Sequence, residues 1–512
     1  MRNAHTVAAV RAAEGALMAA LPEGALMQRA AAGLASVCGG LLARAGGQHG
    51  TRARCGVYGS RVVVLTGSGD NGGDALHAGA RLAARGAVVT AIAAASRVHP
   101  GGEAALRGSG GRVIEAADKA AGSAIADADL VIDGLLGIGG RGGLREPALS
   151  LAAAAQRARA VVVAVDLPSG IDADTGEAAG AAVRADLTVT FGTLKPGLLI
   201  DPGASHAGVV ELVDIGLAEY LGPPDVAAPQ AADIAAWLPR PSAESDKYRR
   251  GVLGIVAGSD RFTGAAPLAV GGAIRGGAGM VRLVSAKAPA AVVRQHWPEA
   301  VITTTDAGQA GAEAVQAAGR VQAWVAGPGM GTGEDAAGLL ASVLATSLPV
   351  LVDADGLTLV AAHRGMLPRS APTLLTPHAG ELARLLGADP ADVEAHRLRF
   401  ATHAAAELGC TVLLKGSTTV IAAARDREVL VNPTGTAWLA TAGSGDVLSG
   451  LAGSLLAQGL NPSRAAAAAA YLHGMAARLA ADGAPIGSSD LVGALRAATR
   501  TVLGAVRRAG DA

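Results

Sequence analysis

The chain has 512 residues, of which 50% are hydrophobic and only 2% aromatic. This length predicts about two or three domains, and the composition indicates cores of Ala, Val, Leu and Ile, as in parallel sheets packed on Ala-rich helices. Lys and Arg number 43, as do Asp and Glu. The zero net charge argues against nucleic acid and anionic membranes as partners.

The few cysteines argue against a disulfide framework or a zinc site, because they are widely separated: Cys38, Cys55 and Cys410. A reducing, cytoplasmic location is therefore expected. Arg11 and Glu14 interrupt the first apolar stretch, which argues against a signal peptide. The Ala-rich run 465–479 contains His473 and Arg478, and it is read as a buried or half-buried helix rather than a membrane span.

The first part of the chain predicts helices followed by a parallel sheet. Apolar residues three and four positions apart indicate helices over residues 6–45. Apolar runs then alternate with Ala-rich helical stretches at Arg61–Thr66, Val88–Ile92, Leu130–Asp133, Val161–Asp166 and Leu187–Phe191. Strands separated by helices predict an α/β fold with helices on both faces, a Rossmann-like three-layer sandwich over residues 1–220.

Residues 221–245 break this rhythm with five prolines, and they are predicted to be a linker. The alternation then restarts, which predicts a second α/β domain over residues 246–512. Its strands are expected at Val252–Ala257, Met280–Val284, Val321–Ala326, Val350–Asp353, Thr411–Lys415 and Thr419–Ala422. The end of the chain is predicted to be mostly helical.

A glycine-rich loop, residues 67–74, follows the first strand, and a helix is expected from about Ala75. Glycines let the backbone approach a ligand, and a helix N-terminus offers free N–H groups to an anion. The loop differs from the dinucleotide fingerprint because Asp70 and Asp74 add negative charge. On its own it fits a binding site or a tight turn capped by Asp74 equally well.

Two further strands end in aspartates that lead into glycine-containing segments. Asp133 precedes Gly134, and Asp166 precedes the segment 167–176. Because the carboxyl ends of parallel strands lie at one edge of a sheet, both residues should face the glycine-rich loop across a common crevice. A single aspartate in this place is usually a helix cap, but three converging strand ends favour a ligand site.

Together, the loop, the Asp133 segment, residues 165–172 (VDLPSGID) and residues 190–197 (TFGTLKPG) resemble the NAD(P)H-hydrate epimerase family over residues 5–215. The resemblance implies proton transfer by Asp166 at carbon 6 of the nicotinamide ring. It implies a potassium ion bound by Asn71, Asp133 and Ser169, whose oxygens suit a hard cation. The implied substrate-binding residues are Asp70, Asn71, Gly72, Gly73, Asp74, Gly137, Ile138, Gly139, Gly140, Arg141, Gly142 and Gly143, with Asp70 standing where the family usually has Asn.

In the second half, a strand runs into the turn Lys415–Thr419, and Gly443-Ser444-Gly445-Asp446 opens a helix. Glycines at a helix start form an anion hole of backbone N–H groups, beside which a carboxylate can take a proton from a hydroxyl. A capped glycine turn is the plainer interpretation of the tetrad alone. The turn and tetrad together resemble the ribokinase-like superfamily.

Four further segments narrow the resemblance to the NAD(P)H-hydrate dehydratase family over residues 245–505: residues 259–266 (SDRFTGAA), 326–331 (AGPGMG), 352–356 (VDADG) and 375–381 (LTPHAGE). The family often has Gly-Met-Gly-Asp where this chain has Gly-Ser-Gly-Asp. The resemblance implies substrate near Ala265, Gly329, His378 and Asp446, with Asp446 as catalytic base. It implies nucleotide binding by Lys415, Gly416, Ser417, Thr418, Thr419 and Gly445, and it gives no role to Asp353 or Asp355.

The two resemblances imply repair of hydrated NADH and NADPH. One domain would interconvert the R and S hydrates, and the other would dehydrate the S hydrate with ADP and a magnesium ion, releasing AMP and phosphate. Two alternatives remain open: an ATP-dependent small-molecule kinase fused to a nucleotide-binding module, and a regulatory protein with an inactive N-terminal domain. The expected partners are small molecules, with neither nucleic acid nor membrane, and a homo-oligomer is compatible with the sequence.

Overall fold

The computed structural model describes residues 1–45, 56–306 and 308–510. The chain divides into two compact units: residues 3–225, called the first unit, and the chain from Val226 together with Met1 and Arg2, called the second unit. Cys55 lies outside the described residues. The predicted α/β class is confirmed for both units, since each is built around a parallel or largely parallel sheet.

The strands of the first part of the chain are β1 (Arg2–Ala4), β2 (Arg61–Thr66), β3 (Val88–Ala93), β4 (Arg112–Glu115), β5 (Leu130–Gly134), β6 (Val161–Val165), β7 (Leu187–Phe191) and β8 (Val209–Val213). The helices are α1 (Val7–Met18), α2 (Ala25–Ala45), α3 (Asp70–Ala84), α4 (Pro100–Gly108), α5 (Lys119–Ala126), α6 (Ala148–Arg157) and α7 (Gly203–Ala207). Short 3₁₀ turns span Pro196–Leu198 and Ala218–Tyr220.

Among the described residues, the first unit holds a seven-stranded sheet in the order β4-β3-β2-β5-β6-β7-β8. Every neighbouring pair is parallel. Successive strands are added outward from β2 to β4 and then on the other side from β5 to β8. The carboxyl ends of β2 and β5 therefore flank a topological switch point, where open α/β sheets bind ligands.

The helix after the glycine-rich loop begins earlier than predicted, at Asp70, with Gly69 as its N-cap. Asp74 is thus inside α3 and does not cap it, so the alternative of a tight turn capped by Asp74 is wrong. The glycines misled the prediction because they are usually poor helix formers. Here Gly72 and Gly73 are buried, and a Cβ atom at Gly73 would lie 2.9 Å from the His99 ring.

The strands of the second unit are β9 (Val226–Ala228), β10 (Val252–Val256), β11 (Met280–Ser285), β12 (Val301–Thr304), β13 (Ala323–Ala326), β14 (Val350–Val352), β15 (Thr373–Leu375), β16 (Thr411–Leu414), β17 (Thr419–Ala423) and β18 (Val429–Asn432). In the described part of the chain they form, with β1, a sheet in the order β1-β9-β18-β17-β16-β15-β14-β13-β10-β11-β12. Strand β17 is antiparallel to both β16 and β18. A second switch point lies between β10 and β13.

The helices of the second unit are α8 (Ala231–Trp237), α9 (Ala265–Arg275), α10 (Lys287–His296), α11 (Gly311–Ala318), α12 (Glu334–Leu344), α13 (Asp355–Ala362), α14 (Ala379–Leu386), α15 (Pro390–Ala395), α16 (Arg397–Leu408), α17 (Ser444–Ala457), α18 (Pro462–Ala481) and α19 (Ser488–Gly510). Two 3₁₀ turns span Arg364–Met366 and Ala437–Leu439. The Ala-rich run 465–479 lies in α18, and most of its alanines are buried.

The segment 221–245 does not act as a linker throughout. Its residues 226–228 form β9, which pairs with β18, and its residues 231–237 form α8, which packs in the second core through Ile234 and Ala235. These elements were missed because both are short and lie among five prolines, which usually indicate a loop. Strands β4, β8 and β12 were also missed, since they are half exposed and lack a continuous apolar run.

One helix of the described residues is long and apolar enough, by composition, to cross a membrane: Ala25–Arg44, with a mean hydropathy of 1.3. It is part of α2. Its Leu34 and Cys38 side chains are fully buried in the core of the first unit. The buried side of α2 therefore packs in the core of the first unit, and 39% of the apolar window is buried.

We expect a cut at residue 225 to preserve the second unit apart from Met1 and Arg2, and a cut at residue 245 to destabilise it. A fragment of residues 226–512 keeps β9 and α8, whereas 246–512 exposes the core surface that Ala227, Ile234 and Ala235 cover. Thermal unfolding followed by circular dichroism should give the shorter fragment a Tm at least ~5 °C lower. Equal Tm values would show that β9 and α8 contribute nothing to the fold.

Candidate active sites

Asp166 lies at the end of β6 in a left-handed conformation, with φ of 64°. Such a conformation is uncommon for a residue with a Cβ atom and occurs most often at functional sites. The Asp166 carboxylate accepts hydrogen bonds from the Thr190 hydroxyl at 2.9 Å and the Phe191 amide at 3.2 Å. It also forms a short ion pair with the ammonium group of Lys195, which is 1% exposed. Three donors thus fix the position of this carboxylate.

Further carboxyl groups lie near Asp166. The Oδ1 atom of Asp74 is buried and has no hydrogen-bond partner in the described structure. Burial raises the pKa of Asp74 well above its usual range, and the charges of Asp166 and Asp70 add to this. Burial likewise raises the pKa of Glu14. Asp74 is therefore a buried carboxyl group whose neutral form is favoured, close to the ion-paired Asp166.

Asp133, Ser169 and Asn71 are brought together at the switch point. The Asp133 carboxylate is fully buried and accepts hydrogen bonds from the Ser169 hydroxyl at 2.7 Å and the Ser169 amide at 2.9 Å. Asn71 and Ser169 both donate to the carbonyl of Leu136, at 3.0 and 3.2 Å. Burial raises the pKa of Asp133 to about 6. The cluster offers carboxylate, amide, hydroxyl and carbonyl oxygens, the donor types preferred by hard cations.

The predicted loop 137–143 adjoins this cluster only at its start. A Cβ atom at Gly137 would lie 2.9 Å from the Asn71 side chain, so the glycine allows the loop to pass close to it. Gly139, Arg141 and Gly142 are exposed, whereas Ile138, Gly140 and Gly143 are half buried. Gly143 lies against Gly180. The loop therefore leads from the oxygen cluster to solvent.

In the second unit, a cavity of about 500 Å³ lies at the N-terminus of α17. It is lined by Ala265, Gly329, Asp355, Gly443 and Asp446, with Arg261 and Phe262 at the loop before α9. Burial raises the pKa of Asp446 to about 7, and the charge of Asp353 adds to this effect. Three of the predicted substrate residues, Ala265, Gly329 and Asp446, thus share one cavity, beside backbone N–H groups suited to an anion.

A buried ion-pair network lies beside this cavity. Lys415 Nζ is 2.8 Å from Asp353 Oδ1 and 3.5 Å from Glu381 Oε2. The Ser449 hydroxyl donates to the other Asp353 oxygen at 2.6 Å. A Cβ atom at Gly445 would be 3.6 Å from Lys415 Nζ. Asp353, which the sequence left without a role, therefore holds Lys415 next to the glycine tetrad.

The turn Lys415–Thr419 is held from below by Arg397, which is 2% exposed. One guanidinium nitrogen donates to the carbonyls of Leu414, Lys415 and Thr418, at 3.3, 2.8 and 3.2 Å. A Cβ atom at Gly416 would collide with the same guanidinium. Gly416 is therefore required for packing, and Arg397 holds in place the turn that contains Ser417 and Thr419.

His378 lies outside the lining of the Asp446 cavity. Its Nδ1 atom accepts hydrogen bonds from the amides of Gly380 and Glu381, at 3.0 and 3.3 Å, and so caps α14. The capped Glu381 in turn reaches Lys415. His378 therefore caps α14, and its side chain, including Nε2, is exposed to solvent.

Comparison with known proteins covers both units. Residues 253–496 match the family model described as NAD(P)H-hydrate dehydratase, and residues 23–197 match the one described as YjeF-related protein N-terminus. The chain is 50% identical over 470 residues to the bifunctional NAD(P)H-hydrate repair enzyme Nnr of Mycobacterium tuberculosis, covering 91% of this chain and 92% of the relative. The enzyme of the same name from Mycobacterium leprae is 48% identical over 484 residues, covering 94% of each chain.

The chain belongs to the bifunctional NAD(P)H-hydrate repair enzymes. This confirms both resemblances on which the sequence analysis depends, and it confirms the assignment as an enzyme. A solved structure of the ADP/ATP-dependent NAD(P)H-hydrate dehydratase from Bacillus subtilis, co-crystallized with ATP/Mg2+, is 29% identical with a TM-score of 0.47, covering 53% of this chain and 97% of that chain.

Sequence analysis did not identify two buried, positively charged residues of this repair enzyme, Lys195 and Arg397. Both are buried charged residues that contact predicted site residues directly. Lys195 lies in the motif of residues 190–197, just after the apolar strand β7. A lysine in such an apolar segment could have been recognised as a buried charge with a function. Arg397 stands at the start of α16, 18 residues before the turn that it holds, and its sequence context carries no signal of that contact.

We expect Arg397→Met to weaken ADP binding by at least ~10-fold, because the turn loses charge-assisted hydrogen bonds to three carbonyls. Arg397→Lys should restore only part of the affinity, since an ammonium lacks the planar fork of donors. Glu394→Gln is the matched control, as it removes the half-exposed partner of the same guanidinium. Calorimetry measures affinity and thermal unfolding checks the fold. Unchanged affinity in folded Arg397→Met would refute this positioning role.

Proposed function

We propose that the first unit interconverts the R and S hydrates of NADH and NADPH, and that the second unit dehydrates the S hydrate at the expense of ADP. The observation that carries the proposal is the half-buried Asp446, on the first turn of α17, in a cavity shared with Ala265 and Gly329. Two chemically separate sites with complementary substrates support a repair pathway within one chain.

Epimerisation at carbon 6 requires a proton acceptor and a proton donor close to the reacting ring. Asp166 is the proposed acceptor, held by Lys195, Thr190 and the Phe191 amide. Asp74, with its raised pKa, is the group best suited to donate a hydrogen bond. Asp70, Asn71, Gly72 and Gly73 form the start of α3 beside this pair and are proposed to bind substrate with residues 137–143.

A potassium ion is proposed at Asn71, Asp133 and Ser169. The fit rests on the donor set and on Asp133, a buried carboxylate whose charge a cation would stabilise. The donors are a carboxylate, a side-chain amide and a hydroxyl, so the proposed site is one of mixed oxygen donors, the type that suits a hard cation. When bound, the ion would supply positive charge at the switch point.

For dehydration, Asp446 is proposed to accept the proton of the ring hydroxyl as that oxygen attacks the terminal phosphorus of ADP. The bond to the AMP oxygen breaks, giving AMP and a phosphate ester of the hydrate. Loss of the ester as phosphate, with a ring proton, restores the double bond of NAD(P)H. Amides at the start of α17 and Lys415 are placed to stabilise the developing charge.

The nucleotide is proposed to lie against Lys415, Gly416, Ser417, Thr418, Thr419 and Gly445. A magnesium ion fits this site because Asp355 and Asp446 face the cavity, and such ions are commonly held by one or two carboxylates together with phosphate oxygens. When bound, it would neutralise phosphate charge. Asp355 is the proposed contact, since Asp446 is reserved for proton transfer.

Small-molecule substrates are the proposed partners, and a cytoplasmic location is proposed. The buried free thiols of Cys38 and Cys410 support a reducing compartment. The zero net charge of the chain supports the proposed lack of nucleic-acid and membrane partners. A homo-oligomer is compatible with this proposal and is not required by it.

Asp166→Asn should slow interconversion of the two hydrates by ~100-fold or more, because the amide cannot accept the proton. Dehydration of the S hydrate with ADP should continue in the same protein, and Asp129→Asn, at the opposite edge of the sheet, is the matched control. Chromatographic separation of the two epimers over time measures the rate. An unchanged rate would remove Asp166 from the reaction.

Asp446→Asn should abolish dehydration, by about 10²–10⁴-fold, while ADP binding persists. The wild-type rate should rise as pH increases through about 7, because burial raises the pKa of Asp446 to about 7 and only the ionised carboxylate accepts a proton. The return of dihydronicotinamide absorbance gives the rate, and Asp426→Asn, on the exposed surface, is the control. A phosphorylated product that accumulates would instead identify a kinase.

A further inference from the structure

A separate cavity of about 760 Å³ lies in the first unit beside the start of α3. Its apolar floor comes from the end of α1 and the start of α2, through Met18, Leu21, Leu26 and Met27. Asp70 lines the edge of the cavity, and none of Asp133, Asp166 and Lys195 is among its lining residues. The cavity is large enough for a group the size of a nucleoside, since small-molecule pockets span about 300–1,000 Å³.

Asp70 connects this cavity to the proposed epimerisation site. Its charge is close enough to raise the pKa of both Asp74 and Glu14, the carboxyl groups that also sense Asp166. His77 stands seven residues further along α3, which places it on the same helix face about 10 Å from Asp70. A ligand that begins at Asp166 and continues past Asp70 therefore reaches His77.

Two imidazole rings form the polar wall of the cavity. The rings of His77 and His99 are 5.9 Å apart in an edge-to-face arrangement. His99 Nδ1 accepts a hydrogen bond from the Gly102 amide at 3.1 Å, and His77 Nδ1 lies 3.3 Å from the Gln28 side-chain amide. Both rings therefore keep an Nε2–H donor free of these contacts. The absence of a side chain at Gly73 leaves room for His99 and Met27 to close the wall.

The charges around His77 and His99 indicate whether the cavity suits an anion or an uncharged aromatic group. The pKa of His77 is lowered by burial and by the neighbouring His99 and Arg81, so the ring is neutral at neutral pH. Glu23 and Asp70 add negative charge, and no Lys or Arg in the described part of the chain lines the cavity. Such a wall disfavours a free anion and suits a planar, uncharged aromatic base with hydrogen-bond acceptors.

We propose that this cavity binds the adenosine half of the hydrated dinucleotide, with the purine against His77 and His99 and a ribose hydroxyl donating to Asp70. The assignment rests on the proposed epimerase function, which supplies the dinucleotide and places its nicotinamide end at Asp166. It makes residues 18–28, with His77 and His99, the specificity surface for the half of the substrate that does not react.

The test compares two substrates that share the reacting ring: one purified epimer of hydrated NADH, and the same epimer of hydrated reduced nicotinamide mononucleotide, which lacks adenosine. The full-length protein should interconvert the dinucleotide with a kcat/KM at least ~10-fold higher. His77→Ala should lower kcat/KM for the dinucleotide by ~10-fold and leave the value for the mononucleotide unchanged. His77→Phe should retain most of the preference, because it keeps the aromatic surface.

His206→Ala is the matched control, because His206 precedes β8 at the opposite edge of the sheet and bonds to the Pro202 carbonyl. It should leave both substrates unaffected. Equal kcat/KM for the two substrates in the wild type, or equal losses on both in His77→Ala, would overturn the adenosine assignment while leaving the epimerase function intact. Failure of the wild type to interconvert either substrate would refute the proposed function and this assignment with it.

Discussion

The two switch points constrain everything else in this molecule. In each unit the first strand of the repeating pattern, β2 or β10, becomes central because later strands are added on both of its sides. The helices that follow neighbouring strands then leave in opposite directions, and a crevice opens at the carboxyl edge. The buried parallel hydrogen bonding between β2 and β5 holds Asp133 next to the glycine-rich loop, and the same relation between β10 and β13 holds the segment 327–331 beside Gly258.

Both crevices place a lysine–aspartate pair where the sheet ends. Lys195 pairs with Asp166 in the first unit, and Lys415 pairs with Asp353 in the second. A buried charge without a partner is costly, so each pair is retained only with additional hydrogen bonds from its surroundings. The two sites differ in which carboxylate is proposed to react. In the second unit the carboxylate proposed to react, Asp446, is a separate residue near the pair, whereas Asp166 is itself the paired residue.

Many glycines of the motifs serve the packing of the protein as much as the approach of a ligand. A Cβ atom at Gly67 would collide with the Leu135 carbonyl, and one at Gly416 would collide with Arg397. Gly443 needs its positive φ to begin α17. These residues bring backbone segments together so that N–H groups and carboxylates converge, and the chemistry depends on that convergence rather than on glycine itself.

The sequence by itself determined the class of fold and the family, and it proposed the candidate residues of each site. Alternation of apolar runs and helical stretches is a local signal, and so are the glycine-rich segments at strand ends. It did not determine the half-exposed strands β4, β8 and β12, which lack a continuous apolar run, or the buried strands β9, β15 and β18, which are only three or four residues long.

Only the tertiary structure decided what pairs with what. In the folded chain α3 begins at Asp70, and Arg397 donates to a turn 18 residues further along the sequence. Lys415 pairs with Asp353, which lies 62 residues before it. It also separated His378 from the cavity that contains Asp446. Such contacts depend on the distances between folded elements, and a linear pattern of residue types carries no record of those distances.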